Sequence, residues 1–174
     1  MHIDPARPDP GLLSFYLFNI VHMKEGEGIF QRARLPHAYL RGQNIELMAA
    51  SNNVLRAGLT PKHIDIGELL RIVDANPVNP AILAPPAPHE HAPHVYPAPV
   101  DDYTLSTVRL RDGMSLPLAN PEATILLNLE GRLRVTAGEH SLELRGGEAA
   151  YLTPGTSVHL DAHEGCYIVI ASNR

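Results

Sequence analysis

The sequence predicts a mainly β protein of the small sandwich or jelly-roll type. Sixteen prolines and thirteen glycines cut its 174 residues into short pieces, most of them the length of strands rather than helices. Seven strand-sized stretches follow residue 100, separated by turn chemistry such as Arg111-Asp112-Gly113, Glu130-Gly131 and Thr153-Pro154-Gly155. Helical periodicity is confined to one stretch, from Asp65. At 44% hydrophobic content the chain can bury a core.

Taken in order, residues 1–11 hold three prolines and no apolar periodicity, so they are expected as an irregular arm. Tyr16–Met23 is rich in β-formers and ends at the turn Lys24-Glu25-Gly26-Glu27-Gly28, which makes it the first expected strand. Ile29–Arg32 is a short second. After Pro36, the runs His37–Leu40 and Asn44–Ala49 flank Arg41-Gly42 as a hairpin. A two-residue loop there sets His37 opposite Glu46 and Tyr39 opposite Asn44. Those four share one face, and Ala38, Leu40, Ile45 and Leu47 form the apolar other. Ser51–Lys62, with Asn52-Asn53, Gly58 and Pro61, is a loop across the mouth of the polar face, carrying Arg56 and Lys62. From Asp65, the residues Ile66, Leu69, Leu70 and Val73 follow helical spacing, with Asp65 as N-cap and Glu68 completing a capping-box-like pair.

Asn76–Pro99 holds eight of the sixteen prolines and reads as an extended linker. Beyond it the expected strands are Tyr103–Leu110, Ala123–Leu129, Leu133–Ala137, Ser141–Leu144, Ala149–Leu152, Ser157–Leu160 and Tyr167–Ala171. A weak internal repeat links the halves. Gly26-Glu27, an apolar pair and Pro36-His37 match Gly147-Glu148, an apolar run, then Pro154 and His159.

A net charge of -5 with scattered Lys and Arg gives no field for nucleic acid. The lone Cys166 cannot form an internal disulfide, and MHIDPARPDP is too polar and proline-rich for a signal peptide. No apolar run is long enough to span a bilayer. A cytoplasmic setting is expected.

The chemistry concentrates between His37 and Lys62. Alone, a histidine at a strand start is ordinarily a hydrogen-bonded side chain, and a lone Glu46, Arg56 or Lys62 is surface charge. Their joint spacing marks a site. The segment PHAYLRGQNIELMAASNNVLRAGLTPK resembles the second signature of the type I phosphomannose isomerases, zinc-dependent cupins that interconvert mannose 6-phosphate and fructose 6-phosphate. LLSFYLFNIVHMKEGEGIF, HIDIGELLRIV, YPAPVDDYTL and GRLRVTAGEHSLELRGGEAAYLTPG are similar to the same family, so the resemblance covers nearly the whole chain but only the C-terminal half of the family.

The resemblance implies a partial catalytic cupin over 12–62, a short helix and proline-rich linker over 63–99, and a complete cupin-like β-domain over 100–174. It implies that His37 is one of four zinc ligands, the others (a Gln, a His and a Glu) belonging to the N-terminal half. It makes Glu46 and Arg56 catalytic and places Tyr39, Lys62 and Asn52 in the substrate site. The family usually has Asp at position 52, a departure that removes a carboxylate. His89, His91 and His94 could in principle supply replacement ligands from the linker. His159 lies where cupins often place a metal histidine, but no histidine precedes it in Ala123–Ala137, so the C-terminal domain is expected to be metal-free. Expected partners are a sugar phosphate and a separate N-terminal half or a second copy, with weak or no activity for the chain alone. The alternative is a non-catalytic cupin module that binds sugar phosphate or a partner chain.

Overall fold

The computed structural model describes residues 8–51, 53–87, 91–119 and 122–174. They form two compact units. One comprises the chain up to Glu46 with Ala50–Leu83, the other Leu47–Ala49 with Ala84–Arg174.

Asp9 organises the start of the first unit. One carboxylate oxygen accepts from Gly11 N at 2.7 Å, and Pro10 opens a 3-10 turn, Pro10–Leu13, that runs into the short helix α1, Ser14–Leu17. The other oxygen accepts from Leu59 N at 3.0 Å. Gly58 sits so close to Gly11 that a Cβ on it would lie 2.9 Å from the Gly11 Cα. The 51–62 loop is thereby fastened to the N-terminal turn. The strand expected over Tyr16–Met23 is not formed: its first two residues close α1, and the rest pairs with no strand among the described residues.

β1 (Gly28–Ile29) pairs antiparallel with β2 (Ile82–Leu83), which falls in the proline-free gap of the stretch read as linker. Between them, α2 (Ile66–Ile72) begins where the sequence predicts, with Asp65 Oδ1 accepting from Glu68 N at 2.9 Å. Asp74, two residues past α2, accepts from Arg32. The backbone N–H of Asn76 and then this guanidinium hold its carboxyl down at about 2.

The hairpin expected at Arg41-Gly42 carries no strand ladder among the described residues. Gly42 has φ +116°, but Arg41 is not in the positive-φ region. A two-residue hairpin loop of either favoured type needs positive φ at that first position.

The second unit is the sandwich. Its strands are β3 (His94–Tyr96), β4 (Tyr103–Leu110), β5 (Ser115–Leu118), β6 (Thr124–Glu130), β7 (Arg132–Ala137), β8 (His140–Arg145), β9 (Ala149–Leu152), β10 (Val158–Ala162) and β11 (Cys166–Asn173). They build one antiparallel sheet in the order β5-β10-β7-β8 and another in the order β3-β4-β11-β6-β9. Register turns alternate residues inward. Ile168 lies between Val108 and Asn128 in one sheet, and Leu160 between Val135 and Leu116 in the other. Leu126, Leu133, Leu160 and Ile168 are wholly buried in the shared core, each contributing about 1.5–3 kcal/mol by leaving water.

Two strands of this unit lie outside the sequence expectation. β3, framed by Pro93 and Pro97, falls in the stretch read as linker, and β5, which contains Pro117, is not among the expected strands. Both are sheet edges, where a missing N–H costs no ladder bond. Buried Asn128 ties β6 to β8 and to the turn that follows β6: its amide donates to Gly131 O and Leu144 O, each at 3.1 Å.

The internal repeat is one turn built twice. Glu27 N donates to Lys24 O at 3.1 Å and Glu148 N to Arg145 O at 3.0 Å. The third residues, Gly26 and Gly147, have φ of 80° and 89°, as a type II turn requires. In each, the Glu carboxylate then accepts from the first backbone N–H at 2.7 Å.

Candidate active site

The site residues lie in the first unit, and backbone geometry sets the first of them. His37 Nδ1 lies 2.9 Å from Leu35 O. A carbonyl can only accept, so Nδ1 carries a proton, and in the neutral ring Nε2 keeps its lone pair. That is the tautomer of a metal-binding imidazole steadied through its other nitrogen.

Tyr39 stands edge-on to His37, with ring centroids 5.9 Å apart at 65°. Its hydroxyl donates to Glu46 Oε1 at 2.9 Å. The expected register set His37 opposite Glu46, whereas the contact Glu46 makes is with Tyr39. Partial burial of the phenol, followed by the hydrogen bond and negative charge of Glu46, pushes Tyr39 up to about 12. The hydroxyl therefore stays a donor. Ultraviolet titration of the folded chain should show a late-ionising phenol that Glu46→Gln returns toward the ordinary range near pH 10. An unchanged titration curve would mean that the carboxylate does not act on Tyr39.

Arg56 is half-buried and Lys62 exposed on the loop that Asp9 fastens, which bends through Gly58 (φ +141°) and Leu59 (φ +52°). No hydrogen bond or ion pair holds either head group among the described residues. The structure thus brings His37, Tyr39 and Glu46 together and leaves the two cations unengaged. Asn52 and His89 lie outside the described residues. The Leu35 carbonyl enters through the backbone, which no pattern of side-chain types signals.

Among the described residues no three His, Cys, Asp or Glu side chains converge as a metal site. His37 suits one ligand position; the remaining donors are not found beside it. His91 Nδ1 lies 3.1 Å from Arg109 O and His94 Nε2 3.2 Å from Ala84 O, so each spends a ring nitrogen on a carbonyl of the second unit. His159 is exposed on β10. No helix among the described residues is long and apolar enough to cross a membrane.

No family model matches the chain. It is 41% identical over 151 residues to the mannose-6-phosphate isomerase of Escherichia coli strain K12, covering 86% of this chain and 38% of that protein. A solved point mutant of phosphomannose isomerase from Salmonella typhimurium matches with a TM-score of 0.75 and 30% identity, over 95% of this chain and 43% of that one. Two more mutants of the Salmonella enzyme, one histidine-to-alanine and one glutamate-to-alanine at positions nine apart, match at 34% identity. Their TM-scores are 0.61 and 0.60 over 72% and 71% of this chain and 32% of each of theirs. Fold and comparisons together define a mainly β protein with the fold of phosphomannose isomerase. The chain is similar to the C-terminal part of the mannose-6-phosphate isomerases. It spans 38% of the length of the Escherichia coli relative.

Proposed function

We propose that this chain supplies one wall of an isomerase site that interconverts mannose 6-phosphate and fructose 6-phosphate. The observation that carries the reading is its 41% identity to a mannose-6-phosphate isomerase over 86% of the chain. In such a reaction a base takes the proton from C2 while the C1 carbonyl oxygen gains one, giving an enediol. The proton then returns at C1 as the C2 hydroxyl gives up its own and becomes the carbonyl. A base, a cation for the developing oxyanion and an anchor for the phosphate are needed.

Glu46 is the base in this reading. The Tyr39 hydroxyl holds one of its carboxylate oxygens and leaves the other to face substrate. Arg56, with no partner among the described residues, stabilises the enediolate, and Lys62 draws in the phosphate. In this reading Asn52 belongs to the substrate-binding set, at a position where the family usually has Asp. The histidine and glutamate altered in the Salmonella mutants are nine positions apart, the separation of His37 and Glu46, which supports the pairing of these two in one site. His37 Nε2 would hold zinc with donors from elsewhere. When bound, zinc polarises the sugar oxygens. The proposed setting is the cytoplasm, in keeping with a single buried free thiol at Cys166.

The test is a covalent chimera in which this chain replaces the matching C-terminal part of the Escherichia coli relative. Isomerisation of mannose 6-phosphate in the presence of zinc is expected, and little or none from the chain alone. A chimera that folds, binds zinc and does not turn over would overturn the reading. It would favour a second one, a cupin module that binds sugar phosphate without turnover, for which the single metal-suited histidine speaks.

A further inference from the structure

The loop that carries Arg56 and Lys62 is held at one polar point. Among the described residues, the bond from Leu59 N to Asp9 Oδ2 is the one hydrogen bond that joins residues 51–62 to another part of the chain. The others stay inside the loop, from Ser51 to Asn53 and from Lys62 N to the Thr60 hydroxyl. The anchor falls midway between the cations, three residues after Arg56 and three before Lys62. It also falls on strained backbone, because Leu59 has φ +52°, a region that residues with side chains seldom enter. Such a conformation persists only where its surroundings hold it. Asp9 holds the amide, and two glycines let the backbones close. A Cβ on Gly58 would lie 2.9 Å from the Gly11 Cα, and one on Gly11 would lie 3.0 Å from Leu59 Cγ.

A carboxylate bonded to this loop could pair with one of its cations. Asp9 does not. Its two oxygens accept from Gly11 N and Leu59 N, and among the described residues no ion pair joins it to Arg56 or Lys62. Its charge is spent on backbone donors, so both cations stay available to an anion. We propose that Asp9 is a positioning residue of the isomerase site, fixing through Leu59 where Arg56 and Lys62 meet a phosphorylated sugar. The inference rests on reading 37–62 as part of a sugar-phosphate site. A misplacement of about 1 Å, caused far from the chemistry, can cost about 10²-fold. Losing the tie therefore weakens the site without Asp9 itself touching substrate.

Asp9→Ser separates the two tasks of the carboxylate. The serine hydroxyl can still cap Gly11 N, but no second oxygen is left for Leu59 N. Gly58→Ala disturbs the same contact from the loop side. Both variants are made in the covalent chimera, and mannose 6-phosphate is followed by steady-state kinetics and by calorimetric binding. Each should raise KM and Kd at least about tenfold, and Asp9→Ser should speed amide exchange over residues 54–62. A merely structural loss lowers the folded fraction, and with it the apparent kcat, but leaves KM and Kd where they were. Unchanged KM and Kd, or unchanged exchange, would overturn the proposal. A parent chimera that turns over, with Asp9→Ser indifferent, sinks the positioning role alone. A parent that binds the sugar phosphate without turnover, and binds it more weakly as Asp9→Ser, sinks the isomerase reading alone. A parent that neither binds nor turns over sinks both.

Discussion

Glu46→Gln in the covalent chimera should lower kcat by about 10²- to 10⁴-fold with little change in KM, the loss expected when a general base is removed and substrate contacts stay. The amide matches the carboxylate in shape and can still accept from the Tyr39 hydroxyl, so the geometry survives while the proton acceptor does not. Steady-state kinetics at saturating zinc separates the two parameters. Near-normal kcat would assign the proton transfer to another group. A KM rise with kcat intact would make Glu46 a substrate contact.

Gly131→Ala should destabilise the sandwich by more than about 3 kcal/mol. Gly131 has φ +73°, and a Cβ there would lie 2.1 Å from Gly165 O and 2.8 Å from Gly165 C. Both are backbone atoms, with no side chain to swing away. Gly113→Ala is the control. Its φ of +75° is nearly the same but its surroundings are open, so it should cost only the left-handed backbone term of about 1–2 kcal/mol. Denaturant unfolding followed by circular dichroism compares them. Equal losses would show that the close approach of the 131 and 165 turns adds nothing.

The sandwich was readable because its strands are bounded by glycine turns and two of them, Tyr103–Leu110 and Ala149–Leu152, end where their β-formers end. β3 and β5 escaped because proline argues against a ladder in general, and only the finished sheet reveals that these two are edges. The first unit was harder for a different reason. A strand such as Tyr16–Met23 exists only with a partner, and sequence composition cannot say whether one is present. At the site, the chemistry of His37, Tyr39 and Glu46 is legible from their types. Their contacts are not, because an Arg41 outside the positive-φ region rules out the register that a two-residue loop imposes. The course of the Arg56 and Lys62 loop depends on Asp9, fifty residues from Leu59 in sequence.

The bond from His37 Nδ1 to Leu35 O spans only two residues. The imidazole's proton is thus placed by its own neighbours in the chain, not by the sheets that would surround a completed centre. In the proposed role as a metal ligand, this imidazole would be oriented by two residues of its own segment, so the rotamer entropy of fixing it would be met locally.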